Sequence, residues 1–162
     1  MTWIGDERIA IGSLADRDLL TCARAEGVTH VVNCRARLQT HISQDLWAAR
    51  LAFGSDRVMH APMWDSGRPQ SSENWADAAL FAAAALDGDP EARVLIHCQQ
   101  GRRRSAMVAY AALRLRGRSP DAAAAVILDH RLVAQVVPEY RASVEDWLAD
   151  RAGDADFPRI TR

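Results

Sequence analysis

Short apolar, β-branched segments alternate along this chain with stretches of helical periodicity, and this alternation restricts the fold more than any other feature. Residues 28–33 and 94–96 have the composition of buried strands. Residues 16–26 repeat apolar side chains at helical spacing, and Gly27 follows as a stop signal. Strands separated by helices predict an α/β domain with a central, mostly parallel sheet of about four to five strands flanked by helices.

The same patterns place the other elements in a single domain over residues 1–152, followed by a polar C-terminal tail at 153–162. Further strands are expected at 8–11 and 57–61. Helices are expected at 44–51, 105–116, 119–130 and 138–152, and another is expected from Ser71 or Ser72 to Leu86. The rest of 35–55 is polar and mixed, and 63–69 is a turn-rich loop.

Composition excludes several classes of protein. The chain has 49% apolar and 25% charged residues, as ordinary globular proteins do, and it contains no apolar run long enough for a membrane span. With 20 basic and 21 acidic residues its net charge is −1, so a nucleic-acid partner held by a general basic field is not expected. The absence of lysine excludes a lysine Schiff base and the lysine of a nucleotide-binding P-loop.

The three cysteines, Cys22, Cys34 and Cys98, form no Cys-x-x-Cys pair and show no metal-ligand spacing. Zinc is therefore not expected, and the sequence indicates no other metal or cofactor. The acidic start of the chain lacks the apolar core of a signal peptide. We therefore expect reduced thiols and a cytoplasmic protein.

The chemistry concentrates where the predicted strand at 94–96 runs into Cys98. A short loop with one glycine follows, and Arg104 and Ser105 open the next predicted helix. Inward-pointing backbone N–H groups and a helix N-terminus favour an anion in such a loop, and an arginine fork matches two phosphate oxygens. The same field stabilises a cysteine thiolate. These residue types predict nucleophilic phosphoryl transfer through a phosphocysteine.

The pattern His97-Cys98-x5-Arg104-Ser105 after a buried strand resembles the signature of the cysteine-based protein tyrosine phosphatases. Residues 8–13 and 27–33 resemble strands of the dual-specificity branch, and the resemblance spans about 9–148. It implies hydrolysis of phosphate monoesters without a metal or other cofactor. The implied partner is a phosphorylated protein, carrying phosphotyrosine, phosphoserine or phosphothreonine, or a small phosphorylated substrate.

The resemblance also implies a role for each matching residue. Cys98 matches the nucleophile and Arg104 the phosphate-binding arginine. Ser105 matches the hydroxyl residue that helps the thiolate leave in the second step, and His97 matches the residue that orients and tunes the cysteine. Asp65, some thirty residues before Cys98 in a loop after a predicted strand, matches the general acid.

Other carboxylates compete with Asp65 for the acid role. Asp77 is one rival, although the helical pattern places it on the helix beyond the loop, and Asp56 is a weaker one. An ordinary turn aspartate is the alternative interpretation of Asp65 itself. For the whole segment, the alternative to a catalytic loop is a structural anion-binding turn or an inactive phosphatase.

Five residues inside the loop are expected to bind substrate: Gln99, Gln100, Gly101, Arg102 and Arg103. Gln100 stands where dual-specificity enzymes commonly have alanine. Arg102 and Arg103 add two positive charges, and the related lipid phosphatases also carry basic residues here, usually lysine. Solvated charge at a helix start is the alternative for the two arginines, so the loop leaves the substrate open.

Cys34 ends a predicted strand beside the one that ends at Cys98. Some relatives carry a backdoor cysteine in this region, which traps the oxidised nucleophile as a disulfide. The resemblance therefore suggests Cys34 as a redox partner of Cys98, with a buried small apolar side chain as the alternative. Cys22, on the first predicted helix, is expected in the core.

The basic residues outside the loop have simpler interpretations. A solvated loop is favoured over the rim of the cleft for Arg35, Arg37 and His41. Three further histidines are expected at the ends of strands or helices: His30, His60 and His130.

Three alternative functions stay open. In the first alternative, the same chemistry acts on a non-protein polyanion, such as a phosphoinositide, an inositol phosphate or an RNA 5′-phosphate. The charges of Arg102 and Arg103 favour this alternative. A binding module holds phosphorylated partners without turnover. A rhodanese-like or arsenate-reductase-like enzyme also uses a cysteine in an anion loop, but the Arg-Ser ending and Asp65 favour a phosphatase.

Overall fold

The computed structural model of the chain describes residues 1–14 and 17–153, and within them one sheet has five strands. The strands are β1 (Thr2–Trp3), β2 (Ile9–Gly12), β3 (His30–Asn33), β4 (Val58–His60) and β5 (Val94–His97). The helices are α1 (Arg17–Ala25), α2 (Arg37–Ser43), α3 (Asp45–Phe53), α4 (Ala76–Gly88), α5 (Arg104–Leu115), α6 (Pro120–His130) and α7 (Pro138–Gly153), with short 3-10 turns at Ser55–Arg57 and Ser72–Asn74.

The strand order is β1-β2-β5-β3-β4, and every pairing is parallel except that of β1 with β2. The predicted α/β architecture is therefore confirmed. In the centre of the sheet, His97 of β5 pairs with Gly12 on one side and Asn33 on the other. Because parallel strands end at one edge of a sheet, the segments that follow β2, β3 and β5 meet beside Cys98.

Alternate residues of β5 serve the two faces of the sheet, as the period of a strand requires. Val94 and Ile96 pack into the larger apolar cluster, to which α4, α5, α6 and α7 contribute. Leu95 packs into a second cluster with Leu20 of α1 and Ala49 of α3. All four residues of β5 are buried, which explains why its sequence is a continuous apolar run up to His97.

Alanine-rich segments let the helices approach one another closely. Ala79 and Ala82 of α4 are fully buried, and so are Ala109 and Ala112 of α5, the helix that α4 contacts. Every residue of α5 from Arg104 to Leu113 is buried. The helix that opens at Arg104 is therefore fixed in the core, which holds the loop before it in a defined position.

Two elements were not expected from the sequence. Strand β1 contains only two residues and pairs at the sheet edge, so it leaves no periodic signal. Helix α2 lies in the segment predicted to be polar and mixed, and its large apolar side chains, Leu38 and Ile42, are exposed. The helix expected from Ser71 or Ser72 begins with a 3-10 turn, and α4 itself starts at Ala76.

The expectation for Cys22 is wrong, because its side chain is exposed. Leu20 and Ala23 form the buried side of α1, and the helical rotation from Ala23 back to Cys22 turns the thiol away from the sheet. Asp16, the expected start of this helix, and the predicted tail beyond residue 153 lie outside the described residues. Within the described part of the chain, no helix is both long and apolar enough to cross a membrane.

Candidate active site

The Cys98 loop, residues 98–103, joins the central strand β5 to the buried start of α5. Its conformation depends on Gly101, which adopts φ +64°. A Cβ at this position would lie 2.5 Å from the carbonyl oxygen of Gly12, at the end of the neighbouring strand. Only glycine fits this left-handed turn so close to the backbone. The end of β2 therefore determines the path of the loop.

Hydrogen-bond donors converge on the Cys98 sulfur. The backbone N–H of Gly101 donates to Sγ at 3.2 Å, and the hydroxyl oxygen of Ser105 lies 3.3 Å from Sγ. Burial raises the pKa of the Cys98 thiol, but hydrogen bonds from the Ser105 hydroxyl and from backbone N–H groups of the loop outweigh burial and lower it overall. The arrangement favours the thiolate, which is the nucleophilic form of cysteine.

Arg104 is buried at the first position of α5, with one end of its guanidinium anchored. Its Nη1 donates to the carbonyl oxygen of Met63 at 3.0 Å, to Oε1 of Gln39 at 2.9 Å and to the carbonyl oxygen of Cys34 at 3.4 Å. Among the described residues its Nε is a buried nitrogen with no hydrogen-bond partner. Leaving a buried guanidinium N–H without an acceptor costs free energy of folding. An oxygen of a bound anion would supply the missing acceptor.

Asp65 lies on the loop after β4 and faces these arginines. Its Oδ2 is 4.0 Å from Arg104 Nε, and its Oδ1 is 3.7 Å from Arg103 Nη1. The hydroxyl of Tyr140, on α7, donates to Asp65 Oδ1 at 3.4 Å and accepts from the N–H of Gly67 at 3.2 Å. Burial raises the pKa of Tyr140, so its hydroxyl keeps its proton and fixes the Asp65 loop as a neutral donor.

The rival carboxylates lie elsewhere. Asp77 is exposed in the first turn of α4, as its helical pattern predicts, and Asp56 is exposed in the 3-10 turn before β4. Asp65 is thus the candidate acid that reaches Arg104.

A buried polar cluster supports the loop from beneath. Arg35 Nη1 lies 2.9 Å from Asp45 Oδ1 in an ion pair whose side chains are 6% and 2% exposed. Arg35 Nε also donates to Gln99 Oε1 at 3.0 Å, and Asn33 Nδ2 donates to Asp45 Oδ2 at 2.9 Å. The expectation of a solvated Arg35 is therefore wrong, because a carboxylate ten residues later in the chain compensates its buried charge.

The other basic residues are exposed or end elements as expected, although Arg37 and His41 lie on a helix and not in the expected loop. Arg37 and His41 are exposed on α2. The remaining histidines end elements as expected: His30 begins β3, His60 ends β4 and His130 ends α6.

His97 lies at the end of β5, directly before the nucleophile candidate, and is completely buried. Burial lowers the pKa of His97 to about 4, and the nearby Asp45 carboxylate does not compensate for this. Neither ring nitrogen has a hydrogen-bond partner among the described residues. The imidazole is therefore neutral, and it adds no charge beneath Cys98.

The loop residues predicted to bind substrate point in different directions. Gln99 turns inward to Arg35, whereas Gln100 and Arg102 are exposed. Arg103 is partly exposed, and its Nε donates to Gln135 Oε1 at 2.7 Å.

The segment after α6 braces the Cys98 loop from outside. Arg131 Nε donates to the carbonyl oxygen of Gly101 at 2.6 Å, while its Nη1 donates to Thr2 Oγ1 at 2.8 Å. The N–H of Gln135 donates to the carbonyl oxygen of Arg102 at 2.9 Å. Sequence reasoning missed Arg131, Gln135 and Tyr140, because their partners lie far away in the chain and no local motif marks them.

Cys34 follows β3 as predicted and is completely buried. Its N–H donates to the carbonyl oxygen of His97 at 2.7 Å, so the chain at Cys34 runs beside the chain at Cys98. Burial raises the pKa of Cys34 well above its usual range, and the nearby Cys98 charge raises it further. Cys34 is thus a neutral thiol next to a site that favours a thiolate.

Solved structures that are similar to this chain include several phosphatases. PTPMT1 in complex with PI(5)P is 18% identical with a TM-score of 0.76 over 91% of this chain and 94% of that one. Human DUSP28 is 19% identical with a TM-score of 0.71 over 94% and 99%. Tk-PTP in its active form is 26% identical with a TM-score of 0.71 over 92% and 95%.

These similarities show that the chain has the fold of the cysteine-based, dual-specificity-like phosphatases. No model of a protein family matches the sequence. No curated protein matches it either.

The replacement Ser105→Ala is expected to raise the pKa of the Cys98 thiol, because the thiolate loses its hydroxyl donor. The measurement is the pH dependence of alkylation at Cys98 by iodoacetamide, followed by mass spectrometry of the peptide. Ser55→Ala, at an exposed serine outside the site, is the control and keeps the wild-type midpoint. An unchanged midpoint in Ser105→Ala contradicts the assignment.

Proposed function

We propose that this protein hydrolyses phosphate monoesters through a phosphocysteine intermediate on Cys98. The observation that carries the proposal is the convergence of the Gly101 N–H and the Ser105 hydroxyl on Cys98 Sγ, in a loop that ends at the buried guanidinium of Arg104. A thiolate held by donors at a helix N-terminus suits attack on a bound phosphate.

In the proposed first step the substrate phosphate lies over Sγ. Backbone N–H groups of the Cys98 loop donate to its oxygens, and so does Arg104 Nε, which has no hydrogen-bond partner among the described residues. The thiolate attacks phosphorus, the bond to the leaving oxygen breaks, and Asp65 donates its proton to that oxygen. The loop and Arg104 stabilise the charge on the transferring phosphoryl group, and rate acceleration comes from positioning and electrostatics.

In the proposed second step water attacks the phosphocysteine. Asp65, now a carboxylate, takes a proton from this water, and the bond between phosphorus and sulfur breaks. The Ser105 hydroxyl, 3.3 Å from Sγ, donates to the departing thiolate. Phosphate leaves, and Cys98 returns to its starting state.

The remaining residues of the loop receive positioning and binding roles. We assign His97 the orientation of Cys98 through packing, since it is buried and neutral. Backbone N–H groups from Gln99 to Arg103 bind phosphate oxygens, and Gly101 permits the turn. The side chain of Gln99 supports the loop through Arg35, so the side chains of Gln100, Arg102 and Arg103 are the ones that contact the substrate beyond its phosphate.

Phosphoproteins carrying phosphotyrosine, phosphoserine or phosphothreonine are the substrate class we propose first, in line with the dual-specificity-like fold. A non-protein polyanion is the second candidate, because the exposed Arg102 and partly exposed Arg103 add charge at the rim. One neighbour in fold, PTPMT1, was solved in complex with PI(5)P. Since a thiolate nucleophile acts only while reduced, we place the activity in a reducing compartment such as the cytoplasm.

The replacement Cys98→Ser tests the central step. We expect hydrolysis of para-nitrophenyl phosphate to fall by about a thousandfold or more, because a serine hydroxyl at this position is a poor nucleophile. Wild-type activity should resist EDTA and be blocked by vanadate, and the variant should still bind oxyanions. A Cys98→Ser protein with wild-type turnover refutes the mechanism, and an inactive, reduced wild type favours the binding module.

The replacement Asp65→Asn tests the acid. We expect kcat on an alkyl phosphate to fall by about a hundredfold or more, and to fall much less on para-nitrophenyl phosphate, whose leaving group needs little protonation. Asp77→Asn is the matched control, since Asp77 is exposed on α4. If kcat falls equally on both substrates, Asp65 is not the acid. If kcat falls only in Asp77→Asn, the acid role belongs to Asp77.

We also propose Cys34 as a redox partner of Cys98. Hydrogen peroxide oxidises the Cys98 thiolate to a sulfenic acid, and the Cys34 sulfur then displaces water to form a disulfide. After treatment with peroxide, peptide mapping should find Cys34 joined to Cys98 by a disulfide. The Cys34→Ser variant, treated in the same way, should not regain activity when a reductant is added. A free Cys34 beside an oxidised Cys98 would rule the pairing out.

A further inference from the structure

Helices α2 and α3 form a hairpin that exposes four large apolar side chains. Leu38 is 58% exposed and Ile42 is 74% exposed on α2, while Trp47 is 63% exposed and Leu51 is 73% exposed on α3. Within each helix the two residues are four positions apart, so each pair lies on one side of its helix. We call these four residues the hairpin face.

The hairpin face is not needed to hold the hairpin on the fold. Ala49 packs into the apolar cluster beneath the sheet, and Asp45 pairs with the buried Arg35. A contiguous group of exposed apolar side chains indicates an interaction surface, and Trp47 and Leu51 line one apolar groove together.

The charged residues exposed on the hairpin itself are positive. The exposed charged residues of the hairpin are Arg37 and Arg50, and His41 is also exposed. Its acidic residue, Asp45, is buried against Arg35. Arg24 of α1 is exposed and lines the same groove as Trp47 and Leu51, so the cationic border continues past the hairpin.

We propose that the hairpin face is a docking surface for an anionic lipid bilayer. Tryptophan, leucine and isoleucine side chains that project from a helix insert into the boundary between headgroups and acyl chains. Arginines beside them bind the phosphates of anionic lipids.

The hairpin face is connected to the candidate active site. Gln39 lies between Leu38 and Ile42 on α2, and its Oε1 accepts the hydrogen bond from Arg104 Nη1 at 2.9 Å. Docking would therefore hold the Cys98 loop close to the headgroups of the bilayer. The consequence that the site acts on phosphate carried by lipid headgroups rests on the proposed function, whereas docking itself does not.

The test is sedimentation of the full chain with phosphatidylcholine vesicles, with and without phosphatidylserine. We expect wild type to bind the anionic vesicles, and added salt to weaken this binding. Trp47→Ala/Leu51→Ala should weaken it about tenfold or more through lost insertion, and Arg37→Gln/Arg50→Gln should weaken it through lost attraction. The matched control is Leu128→Ala/Leu132→Ala, which removes two exposed leucines outside the hairpin and should bind as wild type does.

Hydrolysis of para-nitrophenyl phosphate separates docking from catalysis, and all these variants should retain it with unchanged thermal unfolding. A wild type that binds vesicles but hydrolyses nothing refutes the proposed function and leaves docking intact. Failure to bind anionic vesicles, or equal binding by Trp47→Ala/Leu51→Ala, overturns docking. Docking is also overturned if the chain forms a dimer that Trp47→Ala/Leu51→Ala dissociates. It is overturned as well if a phosphopeptide binds the hairpin face and vesicles do not.

Discussion

Burying a thiolate raises its free energy, and the hydrogen bonds that converge on Cys98 Sγ offset this cost. Their donors are backbone N–H groups of one short loop and the hydroxyl of Ser105 on the helix that follows. They converge only while Gly101 keeps its left-handed turn against the carbonyl of Gly12 and α5 stays fixed in the core. The site therefore depends on the packing of the whole central sheet.

Two sets of contacts keep the loop in this shape. From beneath, Arg35 joins Gln99 to the buried Asp45, and Asn33 completes the set at the end of β3. From outside, Arg131 holds the carbonyl of Gly101. A buried ion pair is stabilising only when its hydrogen bonds are satisfied, so these residues act as a unit and fix geometry more than they add free energy of folding.

The sequence predicted the features that short, contiguous segments of the chain determine. The α/β fold followed from alternating strand and helix patterns, and Cys98, Arg104 and Ser105 stand together in one strand-loop-helix segment. The sequence did not predict helix α2. Its large apolar side chains, Leu38 and Ile42, face solvent, so the helix lacks the usual apolar stripe on its inner side.

Long-range contacts account for the other residues that sequence reasoning missed or misplaced. The sequence interpretation places Arg35 in solvent, because nothing in its own segment shows that Asp45 meets it in the interior. Tyr140 reaches the Asp65 loop from α7, and Arg131 bridges the Cys98 loop to Thr2 at the sheet edge. Such contacts depend on how the elements assemble, and no spacing within a single chain segment encodes them.

The most direct measurement for the central claim is to trap the covalent intermediate. The Asp65→Asn variant is mixed briefly with para-nitrophenyl phosphate and quenched in acid, and the phosphate is located by peptide mass spectrometry. Slow attack by water in this variant lets the intermediate accumulate, so the account predicts phosphate on the peptide that contains Cys98. Release of product with unmodified enzyme throughout the reaction, or phosphate on another residue, would contradict it.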